Sequence, residues 1–358
     1  MPITSSPHDG PDVLKPQDVL PNATIHEVLS NIITSSMPCD EIVAVLAAHG
    51  CDDLTASVDE SACSRYPIAS GGLGDVFSGR LRDGTSVAIK TIRANYEPGQ
   101  EARMYQKRAA REIYTWSKCK HPNIVHLIGL AVFHDCLAMI SRWEMNGNLL
   151  QYLLWHPFAD RCCLSASICA GLAYLHDNDI VHGDLKGGNV LISQDGTPML
   201  MDFGNAILQD ATLQFTQTNT GPSFSLRWTA PEILEGTRFL AHTMVGDIYS
   251  LGMTILEALT SQVPFADKSE RSLLTYIVLH KKLPTRPEKV IPTRSIDGDK
   301  LWAILIKCWS YDPKDRPDAR AVWDAMKPIT AENLKEIEGE DEGGSKGESG
   351  GNEVGDKE

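Results

Sequence analysis

Asp184, Lys186 and Asn189 fall within one run, His182-Gly183-Asp184-Leu185-Lys186-Gly187-Gly188-Asn189, and Asp202-Phe203-Gly204 follows thirteen residues after Asn189. A carboxylate on a loop can orient a hydroxyl nucleophile and take its proton. An ammonium two residues on can neutralise charge on a transferring group. An amide oxygen and a second carboxylate are hard donors of the kind magnesium prefers. Phe203 can pack, and Gly204 leaves the backbone free to turn. These types describe the base-and-metal half of a phosphoryl-transfer site. Any one Asp here reads equally well as a turn or helix cap; the five positions in this order carry the chemistry.

A second group lies upstream. Gly71-Gly72-Leu73-Gly74-Asp75-Val76 sits in a strand-turn-strand pattern, where backbone amides without side chains can approach phosphate oxygens. A tight hairpin would use the same residues, so the cluster alone leaves both readings open. Lys90 ends the apolar run Val87-Ala88-Ile89. A lysine on an inward-facing strand position is costly to bury unless paired, and Glu112 on the following helix is its natural counter-ion. The alternative is a lysine that merely ends a strand.

The elements that must position these groups can be read from periodicity. Val76-Phe77, a turn at Asp83-Gly84 and Val87-Ala88-Ile89 spell a hairpin, and Ile124–Leu130 and Leu137–Ser141 are further short apolar runs. A polar helix carrying Ala109, Ile113 and Trp116 lies between them. Beyond Asn148 helical patterns dominate, at Leu164–Leu175, Asp247–Leu259, Leu273–Leu279, Leu301–Cys308 and Ala319–Met326. The predicted class is α+β, a small antiparallel β-sheet portion with one helix (66–141) and a larger, mostly helical portion (145–329), forming two lobes with a cleft between them. Ahead of it come a flexible Pro-, Ser- and Asp-rich leader (1–23) and an extension (24–60) with two helical runs, Ile25–Ile33 and Ile42–Ala47. Asp40 is the expected cap of the second run. The extension either packs on the core or recruits a protein partner. The tail, 331–358, is too polar to order itself.

Charge follows the same division. The net charge is −14, but residues 1–64 carry ten acids against one base and 331–358 ten against three, leaving the middle near balance. Acidity therefore says little about partners of the core. Nucleic-acid binding needs a basic face, and Arg103, Lys107, Arg108 and Arg111 recur at helical spacing as a solvated surface instead. Nine scattered cysteines read as reduced thiols of a cytoplasmic or nuclear protein. No stretch has the roughly 20 apolar residues a membrane span needs, and the start lacks a signal-peptide pattern.

With these residues in place, the chain resembles a eukaryotic-type protein kinase over about 66–329. The resemblance implies that Ala69, Gly71, Gly72, Gly74, Val76 and Ala88 border ATP. It makes Lys90 the lysine that holds the α- and β-phosphates and Glu112 its partner, Asp184 the catalytic base with Lys186 beside it, and Asn189 and Asp202 the Mg²⁺ ligands. Leu137-Ala138-Met139-Ile140-Ser141-Arg142-Trp143-Glu144 aligns Ser141 with the gatekeeper of the adenine pocket and sets the backbone of Arg142, Trp143 and Glu144 against the adenine edge. A small Ser141 implies an open back pocket. Ala230-Pro231-Glu232 matches the end of the activation segment, Asp247–Gly252 the buried central helix, and Cys308–Pro317 a late motif whose arginine pairs with the Glu232 position.

Leu226-Arg227-Trp228-Thr229 and Cys308-Trp309 resemble tyrosine kinases and the tyrosine-kinase-like group, whereas Lys186 in Asp-Leu-Lys is the usual serine/threonine choice. The expected activity is transfer of the ATP γ-phosphoryl group to protein Ser/Thr hydroxyls. A tyrosine or dual-specificity kinase and a catalytically weak scaffold are the alternatives. The run His-Gly-Asp-Leu-Lys-Gly also resembles kinase families expanded in mushroom-forming fungi. Two departures stand out. Ala69 replaces the first loop glycine, and Gly183 replaces the arginine that receives an activation-loop phosphate. Activity is thus expected to depend less on phosphorylation of Thr216, Thr218, Thr220, Ser223 and Ser225.

Overall fold

The computed structural model describes residues 32–34, 37–70, 74–92, 100–208, 214–215, 225–236 and 242–337. The first helical run of the extension ends differently from its periodicity. Ile32–Ile33 form a strand, β1, paired in parallel with Gln214–Phe215, and the residues before them lie outside the described set. β-Branched runs satisfy both periods, and here a partner far along the chain decides. The second run is helix α1, Cys39–Ala48, burying Ile42, Val43 and Leu46. Asp40 is not its cap. Pro38 holds that position, and Asp40 lies in the first turn, where its charge complements the helix dipole. Gly50, at φ 90°, closes the helix. The Cys51 N–H donates to Leu46 O and the Gly50 N–H to Ala47 O, bonds that a left-handed residue after the cap permits.

The alternating apolar residues build a five-stranded antiparallel sheet from β2 (Ala69–Ser70), β3 (Gly74–Arg80), β4 (Ser86–Ile92), β5 (Leu127–Phe133) and β6 (Cys136–Arg142), in spatial order β2-β3-β4-β6-β5. One face packs Phe77, Val87, Ile89, Ala131, Phe133, Ala138 and Ile140 into a core that also takes Val58 from the extension. Helix α2, Gln100–Ser117, packs on β4, β5 and β6. Lys107, expected on a solvated basic face, is instead buried; burial and then neighbouring Arg111 hold its ammonium below the usual lysine range.

The described residues form two compact units. One comprises those up to Cys119, His126–Trp143, Leu208 and the strand Gln214–Phe215; the other holds the rest. The second unit is built on helices α3 (Arg161–Asp177), α4 (Met244–Thr260), α5 (Gly298–Cys308) and α6 (Ala319–Met326), with α3 packed on α4 and α6, and α4 on α5. The periodic run at Leu273–Leu279 divides, a helix over Glu270–Leu274 passing into a wider turn over Thr275–Leu279. Residues 331–337, assigned by composition to the tail, fold back on this unit. Asn333 Nδ2 donates to Asp297 Oδ2 at 2.9 Å and the Ile337 N–H to Arg294 O at 2.7 Å. The leader and the remaining tail lie outside the described residues. All nine cysteines are free thiols. Among the described residues no helix is long and apolar enough to cross a membrane.

Candidate active site

Strand register decides which side chains of the first unit share a surface. Lys90 is paired with Val76 and Met139, Ala88 with Ser78 and Ser141, and Val76 with Ala69. Paired residues of neighbouring strands project to the same side. Ala69, Val76, Ala88, Lys90 and Ser141 therefore lie on one face, opposite the core. On that face Lys90 Nζ meets Glu112 Oε1 at 2.6 Å, with the glutamate side chain 1% exposed. Ser141 is buried and Arg142 exposed. The Trp143 N–H is held by Ser86 O at 3.2 Å, and Glu144 O accepts the Gly147 N–H.

Gly71 and Gly72 lie outside the described residues. Gly74 opens β3, where a Cβ would stand 2.2 Å from the Thr91 carbonyl oxygen. Close approach of two strands thus requires this glycine, independently of any phosphate.

In the second unit the sequence run becomes a hydrogen-bonded cluster. Asp184 Oδ2 accepts from Lys186 Nζ at 2.8 Å and Asn189 Nδ2 at 3.0 Å, and Asn189 Nδ2 also reaches Asp184 O at 2.7 Å. The Ser225 hydroxyl donates to Asp184 Oδ1 at 2.7 Å and lies 2.8 Å from Lys186 Nζ. Ser225, one of the candidate phosphorylation sites, has its hydroxyl in this cluster. Thr216, Thr218, Thr220 and Ser223 lie outside the described residues. Asp202 adopts φ 70°, ψ 77°, a conformation unfavourable for a non-glycine residue and frequent at functional sites. Phe203 beside it is 1% exposed and its ring centroid is 5.8 Å from that of His182.

Two carboxylates of α4 hold this loop. Asp247, 2% exposed, accepts the backbone N–H groups of His182 at 2.7 Å and Gly183 at 2.9 Å, and lies 3.0 Å from His176 Nε2. Burial alone would raise its carboxyl. The His176 hydrogen bond and charge, with the Gly183 N–H, outweigh that and hold it below the usual carboxylate range. Glu257 Oε2 accepts the Gly187 N–H at 2.7 Å and Trp228 Nε1 at 2.9 Å, and burial pushes its carboxyl up. Sequence reading missed Glu257 as a positioning group. The available signal was an acid inside an apolar helical run, which requires partners once buried.

Gly183 has φ 79°, and a Cβ there would stand 2.8 Å from Asn205 O and 3.0 Å from His242 Cγ. A side chain at this position would therefore be strained in the loop's present conformation. Arg316, with its side chain fully buried, makes a two-pronged pair with Glu232 at 2.7 Å for each prong, and also donates to Ser310 O and Val245 O.

The donor types suit a hard divalent cation. Asn189 Nδ2 is committed to two Asp184 oxygens, which turns the amide oxygen the other way. That oxygen and the Asp202 carboxylate are the hard ligands Mg²⁺ favours alongside phosphate oxygens.

Residues 65–326 match the protein kinase domain family. Over 75% of its length the chain is 28% identical to serine/threonine-protein kinase STY46 of Arabidopsis thaliana. It is 28% identical over 71% of its length to the tyrosine-protein kinase transforming protein Fps of avian sarcoma virus (strain PRCII), and 31% identical over 70% to mitogen-activated protein kinase kinase kinase 1a of Physcomitrium patens. The alignments cover 44%, 46% and 31% of those proteins, so the chain spans under half the length of each. With the match extending over most of its length, the chain belongs to the protein kinase domain family.

Proposed function

We propose that this kinase moves the γ-phosphoryl group of ATP to serine and threonine hydroxyls of proteins, with Mg²⁺ held by Asn189 and Asp202. The carrying observation is the Asp184–Lys186–Ser225 cluster. A hydroxyl on a one-carbon stem already donates to the Asp184 carboxylate, with the Lys186 ammonium 2.8 Å away. Asp184 is thus held where it accepts a proton from an aliphatic hydroxyl. As the substrate oxygen bonds to phosphorus and the bond to the ADP oxygen breaks, the hydroxyl proton passes to the carboxylate. Lys186 offsets charge on the transferring group, and Lys90, fixed by Glu112, holds the nucleotide phosphates. The metal, when bound, neutralises phosphate charge and fixes the orientation of the phosphates.

Relatives acting on serine/threonine and on tyrosine match at similar identity, so the Ser/Thr reading rests on Lys186 and on this geometry. Leu226–Thr229 and Trp309 support placement near the tyrosine-kinase-like group. Incubating the full chain with Mg²⁺, labelled ATP and peptide pools that present only Ser, Thr or Tyr tests the reading. Label in the Ser and Thr pools that disappears in Asp184→Asn is expected. Label in the Tyr pool alone would overturn the specificity, and nucleotide binding without transfer to any pool would make the protein a scaffold.

A further inference from the structure

The N-terminal extension is not a loose appendage. Its backbone runs along β5, with the Leu54 N–H on Leu130 O at 2.7 Å and the Leu130 N–H on Asp52 O at 2.8 Å. It approaches so closely that a Cβ at Gly129 would stand 2.3 Å from Asp52 O, and one at Gly79 would meet Cys63 Sγ at 2.8 Å. Two strands of the sheet therefore carry glycine where the extension seats. The Thr55 hydroxyl oxygen takes the Val132 N–H at 3.0 Å, and Val58 enters the sheet core.

From this seat α1 packs against α2 as well as β5 and β6. At its C-terminal end, Lys118 Nζ donates to His49 O at 3.2 Å, a cation on the helix terminus, and the His49 ring lies edge-on 6.1 Å from Tyr114. Tyr114 and Lys118 flank the last turn of the helix that carries Glu112. The same extension, through β1, pairs with Gln214–Phe215, between the candidate metal ligand Asp202 and the Ala230-Pro231-Glu232 segment.

We propose that residues 39–58 are a built-in positioning clamp for the nucleotide-binding lysine. By holding α2 against the sheet, the clamp keeps Glu112 on Lys90 without help from a partner protein. The proposal rests on the reading of Lys90 as the residue that holds the nucleotide phosphates. The extension thus supplies internally a restraint that a kinase lacking it would need from elsewhere.

The test uses the full chain and reads MgATP affinity by calorimetry, ATP and peptide KM values, and amide exchange of α2. Gly129→Ala pushes the extension off β5 without touching the Lys90 face, and Leu46→Ala loosens α1 from within. Each is expected to weaken MgATP binding about five- to tenfold, raise exchange in α2 and leave the peptide KM within twofold. Leu46→Met restores binding, since volume is conserved. In a Glu112→Gln background Leu46→Ala adds almost nothing, because the clamp acts through that carboxylate.

MgATP affinity within twofold of wild type in both variants would overturn the clamp. So would a full additional loss in the Glu112→Gln background, which would mark a general structural effect. If Leu46→Ala fails to fold, Gly129→Ala and the milder Lys118→Met decide. A wild type that binds MgATP but transfers nothing defeats the proposed reaction, while the affinity and exchange readouts still decide the clamp.

Discussion

The two groups of candidate site residues, one in each unit, are held by different means. In the second unit, Asp184, Lys186 and Asn189 lie within six residues of one another and hydrogen-bond among themselves, and two buried acids of a single helix, Asp247 and Glu257, fix the loop backbone. In the first unit, the Lys90–Glu112 ion pair joins β4 to α2, and the extension packs against α2. A loop fixed by short, buried, charge-assisted bonds has one geometry or none. A helix held by packing on a separate segment has a position that segment can tune. On the proposed roles, chemistry is fixed locally and nucleotide binding depends on remote support.

The sharpest way to break this contrast is at the base. Asp184→Asn keeps the Asn189 and Lys186 neighbours but removes the proton acceptor, and kcat is expected to fall by about 10²–10⁴ with MgATP affinity nearly unchanged. Steady-state kinetics beside calorimetry checks this. A matched loss of nucleotide binding would show that the two halves are not separately held.

Asp247 comes next. Asp247→Asn weakens the acceptor of two backbone N–H groups and unbalances His176, with an expected loss of about 3 kcal/mol of stability. Because the folded carboxyl is held below its usual range, its stabilising contribution is full above the ordinary carboxylate pKa and fades as pH falls through the lower folded value. Urea unfolding of the two proteins should show a gap that is present at about pH 5 and closes as pH falls below about 4. A gap that widened below about pH 4 would reverse the sign of the argument.

What was legible in the sequence follows the same divide. The loop cluster could be read because the residues that bond in space are neighbours in the chain, and Lys90 pointed to Glu112 through the cost of an unpaired buried charge. The hairpin and the long helices followed from period and turn residues. The strand at Ile32–Ile33 was not legible, since its partner lies some 180 residues on and nothing local selects strand over helix. Nor was the seat of the extension. Nothing local singles out Gly129 and Gly79 until the backbone and side chain lying against them are known. Lys107 was misread because helical spacing does not say which stripe is buried.

Gly183 offers a smaller effect. Gly183→Arg installs the residue expected there from the kinase resemblance, yet φ 79° and the Asn205 carbonyl at 2.8 Å from any Cβ oppose it. The expected cost is about 1–3 kcal/mol, with reduced activity and no gain from loop phosphorylation, checked by thermal unfolding and by assays before and after phosphatase treatment. An arginine variant that became phosphorylation-dependent at full stability would show that the loop is less fixed than its bonds to Asp247 indicate.

Ser225 is the finest probe. Its hydroxyl joins Asp184 to Lys186, so Ser225→Ala removes two hydrogen bonds without creating a charge or a large cavity. At about 1 kcal/mol for such a loss, kcat should fall roughly fivefold. Ser225→Thr keeps the hydroxyl and should keep most of the rate. Ser225→Asp sets a second carboxylate against the first, and like charges at that range repel, so it should be worse than alanine. If Ser225 were instead a site whose phosphorylation activates the enzyme, the order of the last two would invert, with aspartate rescuing and threonine requiring modification first. The kinetics of these three variants therefore decide whether the second unit holds its base with its own hydroxyl or waits for a phosphate to do so.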